Sequence, residues 1–269
     1  MALWNKIGAR GNVDDRRGAA PRLVGGGLTG LLLVMGVTYL MGGNPLQVLL
    51  QADPSHFQIP TPTDSTQYDG ADEYEVFVST VLGSTNTFWE QQFAAQNRTY
   101  LAPKLVLFRG ETTSACGGAY TESGPHYCPL DSTIYLDETF FEDIKAKLNA
   151  QGGDVAEAYM IGHEVGHHVQ NLSGHLSESN TSNEASVQTE LQADCYAGLW
   201  ASSLNSEGVL LPGEISEALD TASAVGDDRV QAKTSGHINP ETWTHGSAEA
   251  RVAAFTAGYT TGDFNRCDL

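Results

Sequence analysis

Basic residues are scarce in this chain. Fourteen Lys and Arg stand against 33 Asp and Glu, a net charge of −19 over 269 residues. The deficit is uneven: in residues 1–22, Lys6, Arg10, Arg16, Arg17 and Arg22 outnumber Asp14 and Asp15 for a net +3, which leaves −22 on the rest. So acidic a body repels phosphate backbones, which disfavours a nucleic-acid role. Solubility accounts for the acidity more simply than cationic substrates do. Cysteines number only four, Cys116, Cys128, Cys195 and Cys267, and none shows the C-x-x-C spacing of a thiolate zinc site. No internal repeat is apparent.

Charge is absent altogether from Leu23 to Gly43, and the next charged residue after Arg22 is Asp53. About 20 such residues suffice to span a bilayer as a helix. Basic residues before the run and almost none after it predict a cytoplasmic N-terminus. No small-x-small cleavage site directly follows the run, which favours a retained anchor over a cleaved signal peptide. The expected organisation is a disordered cytoplasmic basic arm over 1–22, a transmembrane helix over 23–43, a linker over 44–70 and an extracytoplasmic domain over 71–269. Gly26 and Gly30 form a small-xxx-small spacing too common in such spans to argue a dimer. An even cysteine count in an exported domain points to two disulfides. A local pair, Cys116–Cys128, would close a Gly-rich loop and leave Cys195–Cys267; spacing does not establish this pairing, and free buried thiols are the alternative.

The domain reads as α+β, predominantly helical with a small sheet. Tyr74, Phe77, Val78, Val81, Leu82, Trp89 and Phe93 predict a helix over 72–96, with Gly83 as an irregularity. Leu105–Phe108 and Thr133–Leu136 read as strands on either side of a loop over 116–129. Phe140, Phe141, Ile144 and Leu148 predict a helix capped by Asp137 and ended by Gly152-Gly153. Asp154 and Glu157 resemble a capping box opening the next helix. Further helical patterns cover 213–225 and, capped by Ser247, the stretch through Phe255, with a loop over 232–246 between them.

The helix opened at Asp154 carries His163-Glu164-Val165-Gly166-His167. Residues four apart share a helix face, so His163 and His167 can offer two imidazoles to one Zn²⁺. Glu164 sits at the adjoining edge, where it can reach a water at the metal. The flanking Val155, Tyr159, Met160, Val165, Val169 and Leu172 predict burial, and buried His and Glu need partners. His168 points about 100° away and is expected in a supporting or surface position. The extended pattern that would supply a third His needs Gly at 170 and His at 173; the chain has Gln170 and Ser173. Downstream, Val187, Glu190, Asp194, Ala197, Ala201 and Leu204 form one helical stripe, with two acids where an apolar face belongs. Glu190 is the economical third ligand, and Asp194, one turn on, an acceptor that orients a ligand His. An exposed acidic stripe is the plain alternative. His175 reads as solvated.

Those segments, with Ala115-Cys116-Gly117, Gly124-Pro125-His126-Tyr127-Cys128-Pro129, Gly226-Asp227-Asp228-Arg229 and Thr244-His245-Gly246-Ser247, resemble the putative neutral zinc metallopeptidase family of membrane-anchored bacterial proteins. The resemblance covers nearly the whole chain. It implies a zinc-dependent peptidase with a zincin-like fold. It makes His245 the best candidate to stabilise an oxyanion, ahead of Tyr259 and Tyr135. It also makes the Tyr127–Leu136 region the candidate edge that an extended peptide joins. A structural His245 and an ordinary buried strand are the alternatives.

The expected chemistry is a metalloendopeptidase with one Zn²⁺ on His163, His167 and Glu190 and a fourth position open to water. The ion brings the pKa of that water to about 7, and Glu164 acts as general base. Two other readings survive the sequence: a metal-stabilised, membrane-anchored binding or assembly protein without turnover, and a hydrolase of non-peptide cell-wall amides. The intact Glu164 disfavours the first. Substrate preference and oligomeric state are not encoded in any motif.

Overall fold

Two strands of alternating residues explain the middle of the fold. In a strand, successive side chains face opposite ways, so a strand buried on both faces reads as continuously apolar. Leu105-Val106-Leu107-Phe108 and Ile134-Tyr135-Leu136 are such stretches, and all are buried. The computed structural model describes residues 1–17, 72–177 and 182–267. In chain order the elements are β1 (Val13–Asp15), α1 (Glu73–Ala95), β2 (Lys104–Phe108), β3 (Glu111–Ser114), β4 (Gly117–Tyr120), β5 (His126–Cys128) and β6 (Thr133–Asp137), then α2 (Phe140–Leu148), α3 (Asp154–Ser173), α4 (Asn183–Ser206), α5 (Ile215–Ala224), α6 (Asp227–Thr234) and α7 (Ala248–Thr261). The main sheet has the order β1-β2-β6-β5, with β1, β2 and β6 parallel and β5 antiparallel to β6. Leu105, Leu107, Ile134 and Leu136 face the large core shared with α1, α3 and α4. Val106, Phe108 and Tyr135 form a second cluster with Ala119 and Cys128.

The mostly helical α+β class agrees with the sequence reading, and so do the helix over 73–95 and both central strands. Several local expectations need correction. The stretch 116–129 is not all loop: β3 and β4 form a hairpin, and β5 pairs with β6. Its Cys116–Cys128 disulfide ties the hairpin to β5, and Cys195–Cys267 ties the chain's last turn to α4. Within the candidate edge region 127–136, β5 lies at one edge of the sheet and β6 inside it, between β2 and β5. Gly83 does not interrupt α1. Asp137 does not cap α2; its carboxylate accepts from Thr139, Thr121 and Gly110 instead, and α2 closes on Asn149 in the left-handed region. Asp154 is not the N-cap of α3, which is Gly153. The Asp154 carboxylate is occupied by Ala2 N–H and Trp4 Nε1–H, at 2.8 and 2.7 Å. A short helix, α6, occupies the start of the expected loop. Ser247 caps α7 as expected, its hydroxyl accepting from Ala250 N–H.

The largest correction concerns the N-terminus. Residues 1–17 are not a disordered arm; they belong to the same compact unit as the helical body. Val13, Asp14 and Asp15 pair in parallel with Leu105, Val106 and Leu107. Leu3 N–H donates to Val209 O, Gly11 N–H donates to Ser79 O, and Ser79 Oγ donates back to Gly11 O. Val13 is fully buried, a burial that contributes about 1.5–3 kcal/mol for a Val-sized side chain. The charges that looked available to a membrane surface are spent on the fold: Arg17 pairs with Asp15, Asp72 and Glu138, Arg16 with Asp14, and Lys6 donates to Gly208 O. The expected transmembrane helix 23–43 and linker 44–70 lie outside the described residues. Among the described residues no helix is long and apolar enough to cross a membrane.

Gly83 shows how closely the arm lies on α1, because a Cβ there would come within 2.6–2.7 Å of the Ala9 and Arg10 backbone. Gly to Ala in a helix interior is ordinarily worth about 1 kcal/mol of added stability. Here the sign is expected to reverse: Gly83→Ala should cost about 1–3 kcal/mol through overpacking, read as a lower denaturant midpoint at constant m. A gain in stability would show that the arm does not rest on α1.

Candidate metal centre

Helix α3 is buried on nearly every side, so its polar side chains must find partners within the protein. His163 and His167, one turn apart, bring their ring centroids to 4.7 Å at an interplanar angle of 83°. Glu190 of α4 reaches both: its Oε2 lies 3.1 Å from His163 Nε2 and its Oε1 3.3 Å from His167 Nε2. One donor atom from each residue falls within 4.8 Å of the other two. Two imidazoles and a carboxylate are donors that zinc takes, and their closeness lets one ion reach all three. α4 comes this near because α3 carries Gly166 at the crossing, where a Cβ would lie 3.0 Å from the Ala193 backbone.

The other nitrogen of each imidazole is also engaged. His163 Nδ1 lies 2.8 Å from Asp194 Oδ1, and His167 Nδ1 lies 2.9 Å from Gln170 Oε1. Donation from Nδ1–H in each case leaves Nε2, the nitrogen that faces Glu190, to ligate once it gives up its proton. Asp194 is completely buried. It also accepts from Arg251 Nε at 2.8 Å, Arg251 Nη2 at 3.0 Å and the Tyr159 hydroxyl at 2.6 Å. Gln170, equally buried, donates to Thr189 O at 2.7 Å and Gln192 Oε1 at 3.0 Å. Asp194 thus stands against His163 Nδ1, where an orienting partner was expected, and Gln170 stands against His167 Nδ1.

Arg251, Tyr159 and Gln170 were not picked out from the sequence as parts of this centre. Arg251 left a trace, as the only cation in the Ala-rich helix 248–261. Gln170 stands three residues after His167, on the same helix face. His168, left between supporting and surface positions, is buried and turned away from the donors, toward the Tyr127 hydroxyl and Leu101 O. His175 is exposed and is not one of the three donors.

Electrostatics follow from these contacts. Burial disfavours a charged His163, yet Asp194 and Glu190 outweigh it and hold its pKa up at about 10. Burial likewise opposes a charged His167, and Glu190 reverses the sign. Burial would raise Asp194, but Arg251 and His163 hold it down at about 2. Glu190 is kept well below the usual carboxylate range by both imidazoles despite its burial. His168, with no carboxylate to offset burial, falls to about 4.

The centre opens on a cavity of about 780 Å³. Glu164, only 4 % exposed, lines it, and no described residue donates a hydrogen bond to its carboxylate. Phe140, Ile144, Met160 and Val230 supply apolar wall, and His126 and Tyr127 of β5 form one side. His245 lines the same cavity. Its loop is held by Asp227, whose Oδ2 accepts from the N–H groups of Thr244, His245 and Gly246 at 2.7–2.9 Å. Tyr135 and Tyr259, the weaker candidates, do not line the cavity: Tyr135 donates to Asp131, and Tyr259 stacks on Phe255.

Asp194→Asn is expected to weaken metal affinity about 10–100-fold, as loss of an outer partner of a ligand His does. Chelator competition measures it, and undiminished affinity would show that His163 is held without Asp194. Both ligand imidazoles bind protons more strongly than free histidine in the metal-free centre, and only neutral imidazole ligates. Metal uptake should therefore release protons, and apparent affinity should rise between about pH 6 and pH 9. A flat profile would contradict this.

The chain is 39% identical to Escherichia coli K12 YpfJ over 285 residues, covering 98% of this chain and 97% of that protein. It is 47% identical to Mycobacterium bovis Mb2605 over 183 residues, covering 63% of this chain and 62% of that protein. The same figures hold for Mycobacterium tuberculosis H37Rv Rv2575. No solved structure matches. The family described as Putative neutral zinc metallopeptidase matches residues 2–269, and this chain belongs to it.

Proposed function

We propose that the protein is a zinc metalloendopeptidase of zincin-like design, with Glu164 as general base. The observation that carries this reading is Glu164 itself: a carboxylate only 4 % exposed, next in sequence to His163 and lining the same cavity as the three converging donors. A purely structural metal site needs no such group. His163, His167 and Glu190 hold the ion, and Asp194 and Gln170 keep the two imidazoles turned toward it. When bound, zinc supplies Lewis acidity, which makes water nucleophilic near neutral pH and draws charge from the scissile carbonyl. Glu164 accepts the proton of the attacking water and delivers it to the leaving amine.

His245 is the proposed oxyanion donor. Its Nδ1 lies 3.0 Å from Thr244 Oγ1 and 3.4 Å from Asp227 Oδ1; with Nδ1–H turned toward that carboxylate, Nε2 donates to the oxyanion from the doubly protonated ring. β5 pairs on one side only, with β6. An extended peptide joining its other edge would run along the cavity wall and present its backbone to the centre. The two disulfides fit an extracytoplasmic enzyme acting on peptide or protein substrates.

Glu164→Gln should retain the metal and lose at least about 10²–10⁴ in kcat on a peptide library. His245→Ala should lower kcat roughly 10²–10³-fold with metal content unchanged. Chelation should abolish turnover and zinc restore it. A metal-replete wild type that cleaves no peptide would sink the reading. Cleavage of cell-wall fragments alone would then indicate a non-peptide amidase, and no cleavage at all a metal-stabilised binding protein.

A further inference from the structure

Arg17 and Asp72 flank the 54 residues from 18 to 71, and their side chains meet at 2.6 Å. The contact belongs to a cluster: Arg17 also binds Asp15 at 2.5 Å and Glu138 at 2.6 Å, its side chain is 6% exposed, and Asp72 caps α1 by accepting from Glu75 N–H. On one side of this point the arm is built into the body through the β1–β2 pairing and the buried Ser79–Gly11 bond. On the other side α1 begins. The chain therefore departs from and comes back to one place on one folded unit.

A helix that crosses a bilayer once leaves its flanks on opposite faces, about 30 Å of hydrocarbon apart. The run 23–43 is the only uncharged apolar stretch of that length between Arg17 and Asp72. A second crossing on the way back would have to carry Asp53, Asp64, Asp69, Pro54, Pro60 and Pro62 through hydrocarbon, at a cost that intramembrane acids rarely meet. Three of the basic residues behind the positive-inside argument, Lys6, Arg16 and Arg17, have partners within the fold.

We propose that residues 1–17 occupy the same side of the membrane as the helical body. Arg17 and Asp72 then share one compartment. This does not depend on the peptidase reading, since it rests on the placement of the arm alone.

The four native cysteines are paired, so a single introduced cysteine reports its own surroundings. Asn5 and Gly8 are exposed in the arm, and a Cβ at Gly8 meets nothing within 4 Å; Lys233 is exposed on the body. Full-length Asn5→Cys, Gly8→Cys and Lys233→Cys variants are expressed in cells and treated with a membrane-impermeant maleimide before and after lysis. Arm and body positions are expected to react alike, either all in intact cells or all only after lysis. Two arm positions are used so that misfolding of one variant leaves the other. Reaction of Lys233→Cys in intact cells with both arm positions protected, or the reverse, overturns the proposal.

Discussion

The buried carboxylate of Asp194 is the constraint on which the centre depends. An ion taken out of water without a partner costs several kcal/mol even after relaxation, and this one is wholly inaccessible. Three helices meet to satisfy it. α3 supplies His163 and Tyr159, α4 carries Asp194 itself, and α7 brings Arg251 in with two N–H groups. Moving any of the three helices would strand a charge, so the cluster fixes their relative positions as well as the tautomer of one imidazole. Glu190, one turn before Asp194, inherits its position from the same arrangement.

Much of this was legible in the sequence, for a specific reason. Metal ligation imposes residue types at fixed helical spacing, so His163, Glu164 and His167 announce a shared face without knowledge of the fold. Glu190 and Asp194 were legible because two acids interrupt a stripe otherwise made of small and apolar residues. Two disulfides were suggested once the chain was read as exported, but the pairing itself was left open because spacing does not decide it. What stayed hidden depends on contacts distant in sequence. Arg251 lies 57 residues from Asp194, and no spacing rule connects them. Asp154 beside Glu157 reads locally as a capping box, but Ala2 and Trp4, about 150 residues away, claim its carboxylate. Tertiary demand overrode local preference.

The N-terminal arm is the clearest case. Scattered basic and Gly residues ahead of an apolar run look like a cytoplasmic tail, since composition alone carries that signal. A three-residue strand such as Val13-Asp14-Asp15 is too short to show alternation, and its pairing with β2 is parallel, so no hairpin turn advertises it. The opposite charges of arm and body, separately noted in the sequence, suit the ion pairs that join them.

The same arm bears on how the chain assembles. Its partners are among the latest parts of the body: Leu3 needs Val209, Lys6 needs Gly208, and the Met1 amine needs Glu214. Those contacts thus exist only once some two hundred further residues are made, whereas the contacts of Gly11 with Ser79 and of Val13 with Leu105 need far fewer. Long loops must close before such distant contacts reward the closure, which slows folding. Until residues 13–15 find their place, β2 presents an open edge.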